Sequence, residues 1–160
     1  MKVLKWLDEY FEEAVLVSSL VVTVGLIFMQ VIMRYVFKNS LSWSEELARY
    51  IFLYQIWLGA SYATKKKAHL RIEIIKSKFS GRKGVYFETA VMIIWLAFTV
   101  FLTVESFNLT KMIFIRGQLS PAMRMPMGFA YASVPIGAGL MSLRLIQNIV
   151  SGIKGIPQAR

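Results

Sequence analysis

The apolar positions of this chain fall into four long runs, with most of the charged positions gathered between them. From Ala14 to Met33 there is no charged residue at all. A bilayer core about 30 Å thick takes roughly 20 helical residues at about 1.5 Å each, so this run predicts a span at about 14–36. The second run is uncharged from Tyr50 to Thr64 and reaches span length, about 43–64, only by including the charged segment ahead of it. The third lies between Lys83 and Lys111, interrupted by Glu88 and Glu105, and predicts a span at about 85–107. The fourth runs from Met125 to Leu143, meets Arg144 and continues apolar towards Ile153, a span at about 127–150. Ahead of them, residues about 2–12 set Trp6, Leu7, Tyr10 and Phe11 among lysines and acids, the pattern of a short amphipathic helix resting at the membrane interface. The expectation is an all-α integral membrane protein: four transmembrane helices and a short amphipathic N-terminal helix in a single membrane domain, 1–160.

Composition agrees, since 56% hydrophobic residues and a mean hydropathy of +0.53 are too apolar for an ordinary soluble domain. The first run is too long for a signal-peptide core, and no clear small-residue cleavage site follows it before Arg34. Charge then sets orientation. With four spans, thirteen of the nineteen Lys and Arg residues fall on the side of the termini and the 65–84 loop, and six on the other. The positive-inside rule places both termini in the cytoplasm. The same asymmetry accounts for the net charge of +10 without nucleic acid. Within the basic loop, His69 to Phe79 reads as an amphipathic turn on anionic headgroups. The opposite loop, Asn108 to Pro126, contains Gly117, Pro121 and Pro126 and is expected to be irregular.

Candidate chemistry is sparse. There is no cysteine and a single histidine, so thiol relays, a bis-histidine haem and a Ser/His/Asp set are all excluded, and neither an enzyme nor a cofactor is expected. A self-sufficient transporter would carry an ionisable group near mid-span. Glu88 is expected at the inner end of the third span and Glu105 at its outer end, both as interfacial or intersubunit partners of Lys or Arg. Trp6 and Arg144 read as interfacial anchors, Arg144 by snorkelling. Three stripes of small and polar residues suit helix–helix contact: Ser19, Thr23, Leu26 and Gln30; Ala48, Gln55, Gly59 and Ala63; and Gly128, Ala132, Pro135, Gly139 and Ser142. They close these helices on one another or face an external partner.

The densest signal is LSWSEELARYIFLYQIWLGA, residues 41–60. Ser42 reads as an N-cap with Glu45 completing a capping box, both acids sit where the helix dipole favours them, and Arg49 follows Glu45 at i+4. Three charges at a span's mouth point to contact with protein or water rather than lipid.

The order Arg34, Phe37, Ser40, Leu41, Trp43, Glu45, Glu46, Arg49, Leu58, Gly59 and His69 resembles the small membrane subunit, DctQ-like, of tripartite ATP-independent periplasmic (TRAP) transporters. The resemblance extends over nearly the whole chain, although the part after residue 84 fits in architecture alone. It implies a non-catalytic scaffold subunit in a bacterial inner membrane, paired as a heterodimer with a large polytopic transport subunit. A periplasmic substrate-binding protein would dock on the complex. Such systems import an organic acid, such as a dicarboxylate or sialic acid, on an ion gradient, commonly sodium. Partner-interface candidates are then Arg34, Trp43, Glu45, Glu46, Arg49, Gln55 and Gly59, with Arg116 and Arg124 as candidates for docking the binding protein. Two other classes stay open: an autonomous proton-coupled four-helix exporter using Glu88 or Glu105, and an accessory anchor of another membrane complex.

Overall fold

The amphipathic start and the first apolar run form one continuous helix, α1, Lys2–Tyr35. No glycine or proline lies between residues 2 and 24, and the junction Glu12-Glu13-Ala14 consists of good helix formers, so nothing there favours a break. The separate interfacial helix expected at the N-terminus is therefore the first third of α1. The remaining elements are α2, Ser42–Lys65, α3, Arg82–Ile115, the single turn α4, Gly128–Tyr131, and α5, Ser133–Lys154. The structure is a computed structural model that describes residues 2–66 and 82–154, with side chains over 12–66 and 89–150. The amphipathic turn expected at His69–Phe79 lies outside the described residues, as do the side chains of Trp6 and Glu88. No named strand occurs among the described residues.

Three helical segments are long and apolar enough to cross a membrane: Glu12–Tyr35, Thr89–Ile115 and Gly128–Val150. The second helix falls short on apolarity, and packing explains why. α1 packs on α2, α2 on α5, and α5 on α3, while the backbones of α1 and α3 do not approach one another among the described residues. The helices thus stand in an open row, α1–α2–α5–α3, with α2 flanked on both sides by protein. A flanked helix can carry polar groups that its neighbours satisfy, whereas an edge helix facing hydrocarbon cannot.

The interior inverts the pattern of a soluble core. The largest fully buried side chains are Thr64, Thr99, Ser44, Ser61 and Ser133, while Phe28, Phe98 and Phe101 are exposed. Lipid is as apolar as leucine, so helix contact there relies on small residues and hydrogen bonds. Gln55 on α2 donates to the Ser19 hydroxyl at 3.1 Å and to Thr23 at 3.3 Å on α1. Ser142 on α5 donates to Thr99 on α3 at 2.9 Å, and Asn148 donates to the Thr64 carbonyl at 2.9 Å. The first two stripes read from sequence therefore meet each other at Ser19, Thr23 and Gln55, while Ser142 of the third meets Thr99, which lies in none of them.

Where α2 and α5 end, Glu12 of α1 pairs with Arg144 at 2.5 Å and with Lys65 at 3.8 Å. Arg144 reaches the carboxylate at the start of the apolar span of α1. Its side chain is only 14% exposed, and the charge-assisted bond reaches across α2 to the acid on α1.

α2 and α5 approach closely at Gly137 of α5, where an added Cβ would lie 2.4 Å from Trp57 Cβ and 2.8 Å from its backbone carbonyl carbon. Backbone cannot yield as a side-chain tip can. Gly137→Ala is expected to destabilise the chain by about 1–3 kcal/mol. Gly59→Ala, with nothing within 4 Å of the new methyl, should leave stability unchanged or slightly raised. Thermal unfolding of both variants in detergent, against the unmodified chain, checks the pair.

Candidate functional site

α2 begins at Ser42 with Leu41 as its N-cap residue and no side-chain cap bond. The expected capping box is absent: the Ser44 hydroxyl donates back to the Leu41 carbonyl at 2.8 Å, and Glu45 points elsewhere. Glu45 accepts from Arg49 at 3.2 Å, the i+4 pair read from the sequence, and from Gln30 of α1 at 3.1 Å. This pair is well exposed, 68% for the Arg49 side chain and 56% for Glu45, so it is screened and weak.

Glu46 behaves differently. It is buried, and its carboxylate reaches a loop 76 residues further along the chain. One oxygen accepts the backbone N–H groups of Ala122 at 2.8 Å and Met123 at 3.0 Å, and the other accepts the Tyr50 hydroxyl. Consecutive backbone N–H groups converging on one anion form a nest, and bonds to an ionised acceptor are the strong kind.

The loop is built to present those donors. α3 runs on to Ile115, and Gly117, at φ +61°, lets the chain leave the helix in the left-handed region without a Cβ clash. The irregular loop expected from Asn108 begins only after Ile115, because Asn108 to Ile115 contain neither glycine nor proline and continue the helix, and residues 116–127 are held at their base. Ser120 N–H bonds the Met125 carbonyl at 2.8 Å, Met127 N–H bonds the Gln118 carbonyl at 2.9 Å, and Leu119 bridges Pro126. The buried Ser120 hydroxyl also accepts the Met125 N–H at 3.2 Å. Pro121 presets the turn, which leaves the next two amides free to face Glu46. Beyond the loop, the Tyr54 hydroxyl donates to the Phe129 carbonyl at 2.7 Å and holds α4 against α2.

Between these parts opens a cleft of about 1010 Å³. Its walls include Trp43, Arg49 and Tyr50 from α2, Pro121 and Ala122 from the loop, and Tyr131. Of the residues singled out from sequence, Trp43, Glu45, Glu46 and Arg49 gather at this cleft. Gln55 lies deeper, taken up by α1. Arg34 is exposed at the end of α1, Gly59 faces open space, and Arg116 and Arg124 are exposed on the loop, Arg124 at φ +54°. The sequence reading missed Glu12 and Tyr50. Tyr50 stands at i+4 from Glu46 and could have been found by that spacing, whereas Glu12's partners are remote in sequence.

Residues 23–155 match the model of the DctQ component of the tripartite ATP-independent periplasmic transporters. The chain belongs to this family. Within it, the chain is 28% identical over 158 residues to the isethionate TRAP transporter permease protein DctMQ of Oleidesulfovibrio alaskensis, covering 95% of this chain but only 25% of that protein. A putative TRAP transporter small permease protein of Haemophilus influenzae is 27% identical over 143 residues, covering 88% of this chain and 86% of its own. The C4-dicarboxylate small permease protein DctQ of Vibrio cholerae is 24% identical over 152 residues, covering 79% and 66%. Membership in a transporter component family, together with several long apolar helices, makes the chain a multi-pass membrane protein.

The buried carboxylate and the exposed ion pair of this DctQ-family chain should separate cleanly on substitution. Glu46→Ala removes the acceptor of two loop amides and is expected to lower the unfolding temperature and open residues 116–127 to protease. Arg49→Ala, which breaks only the exposed pair, should change stability by about 0.5 kcal/mol or less. Thermal melts and limited proteolysis of the two variants in detergent distinguish them.

Proposed function

We propose that the chain is the small, non-catalytic scaffold subunit of a TRAP-type secondary transporter in a bacterial inner membrane. Its partner in a heterodimer is a large polytopic subunit that carries substrate and ion. A periplasmic binding protein delivers an organic acid, a dicarboxylate, sialic acid or similar, and a sodium gradient drives its import. Both termini are cytoplasmic, so the Glu46 cleft opens at the periplasmic face, where Arg116 and Arg124 are available to an arriving binding protein. α2 crosses the membrane as well: its 24 residues span about 36 Å and run between α1 and α5. Single-chain relatives such as the DctMQ permease, of which this chain matches one quarter, support a large partner.

The observation that carries the scaffold role is the use of the polar side chains. Glu46, Gln55, Ser142, Asn148 and the Glu12–Arg144 pair all join one part of this chain to another. Groups committed to bracing are not free to bind and release a solute. A brace of this kind widens and stiffens the static part of a transporter while the partner moves.

Reconstitution into liposomes tests the reading. The chain, the large subunit and the binding protein together should accumulate the organic acid under an inward sodium gradient. This chain alone, or the large subunit with the binding protein but without this chain, should not. Solute movement through liposomes containing only this chain would overturn the proposal.

A further inference from the structure

The open row has two edge helices, and their outward faces differ in one respect. α1 exposes Val17, Val21, Val24, Phe28 and Val31, which lie within one stripe of the helix and carry no charge. Such a face is at ease in hydrocarbon. α3 exposes Ile94, Phe98, Phe101, Leu109 and Met112 along a similar stripe, at i to i+4 and i+7 spacing, and Glu105 lies in the middle of it. Glu105 is exposed, and among the described residues it has neither a hydrogen bond nor an ion pair.

Its depth makes this costly. Ser142 of α5 meets Thr99 of α3, and Asn148, six residues on, meets Thr64 at the end of α2, so Glu105, six residues or about 9 Å past Thr99 towards the loop, lies well inside the stretch that α2 covers. The sequence alone ends this span at 107 with Glu105 near its outer end; the helix continues to Ile115, eight residues further. A short acidic side chain there cannot reach the interface as a lysine stem does. Charged groups at membrane depth face protein or water and pair with one another.

We infer that the Glu105 face of α3, not the outer face of α1, is the surface on which the large transport subunit seats, with Glu105 paired to a lysine or arginine of that subunit within the membrane. The inference rests on the reading of this chain as a small TRAP subunit. The partner's chemistry follows from the face itself. It must offer a cation at mid-membrane depth, flanked by apolar side chains that cover Phe98 and Phe101 one to two turns away. The α1 face makes no such demand and is left to lipid.

The test uses the tagged chain co-expressed with its large subunit in the host membrane. A photo-cross-linking phenylalanine analogue is placed at Phe98 or Phe101 on α3, and separately at Phe28 on α1. Cross-links to the large subunit from 98 and 101 but not from 28 are expected. In mild detergent, Glu105→Leu should lower the large subunit recovered per tagged chain roughly tenfold or more, the effect of leaving a buried partner charge unpaired. Glu105→Asp should restore part of that recovery. The Glu105→Leu chain, purified alone, should remain monodisperse, which separates lost assembly from lost folding. If the complex is recovered intact but cross-links arise only from residue 28, or Glu105→Leu assembles as the unmodified chain does, the face assignment is overturned while the subunit reading stands. If the unmodified chain brings no large membrane protein with it, both are overturned.

Discussion

Helices immersed in hydrocarbon gain nothing from hiding apolar side chains against each other, since lipid already accommodates them. Whatever holds such helices together must come from close backbone approach and from polar groups satisfied between them. This constraint governs the whole chain. Its largest fully buried side chains are threonine and serine, a glycine lies against the backbone of Trp57, and its joints are Gln55, Ser142, Asn148 and the acids Glu12 and Glu46. The large apolar residues point away, to surroundings that lie outside the chain.

The two acids fix opposite ends of the row. At one end Glu12 gathers Lys65 and Arg144, so α1, α2 and α5 converge on a single carboxylate. At the other, Glu46 gathers the amides of the 120–123 turn and joins the loop after α3 to the start of α2. Since α1 and α3 have no direct backbone contact among the described residues, these end joints and the two helices between them keep the edges in a fixed relation. An open row of this kind has two broad faces to offer. A closed bundle of the same length would hide much of that surface, and a subunit whose task is to brace another needs it.

Much of the architecture was legible in the sequence because the bilayer imposes a length on apolar runs. The spans beginning near 14, 85 and 127 follow from the runs alone, and the stripes containing Ser19, Thr23, Gln55 and Ser142 were visible as spacing. The Glu45–Arg49 pair was legible for the same reason, being local. What escaped was non-local or depended on a neighbour. The capping box at Ser42 failed because Glu45 had better partners in Gln30 and Arg49, one of which belongs to another helix. The partner of Arg144 is an acid 132 residues away, which no local pattern points to. Glu46 looked like half of a charged cluster; its partners are backbone amides, which leave no mark in a sequence beyond the prolines that free them.

The central claim is that the charge at the start of α2 serves to hold this chain's own loop and so completes a rigid brace. Hydrogen–deuterium exchange of the Ala122 and Met123 amides, in the purified unmodified chain in detergent or nanodiscs, tests it most directly. Glu46 is the acceptor that the structure gives to both amides, so their protection reports on that contact alone. The account requires both to exchange slowly, on the scale of the helix interiors, while neighbouring loop amides without such an acceptor exchange fast. Exchange at 122 and 123 as rapid as in an open loop would contradict it.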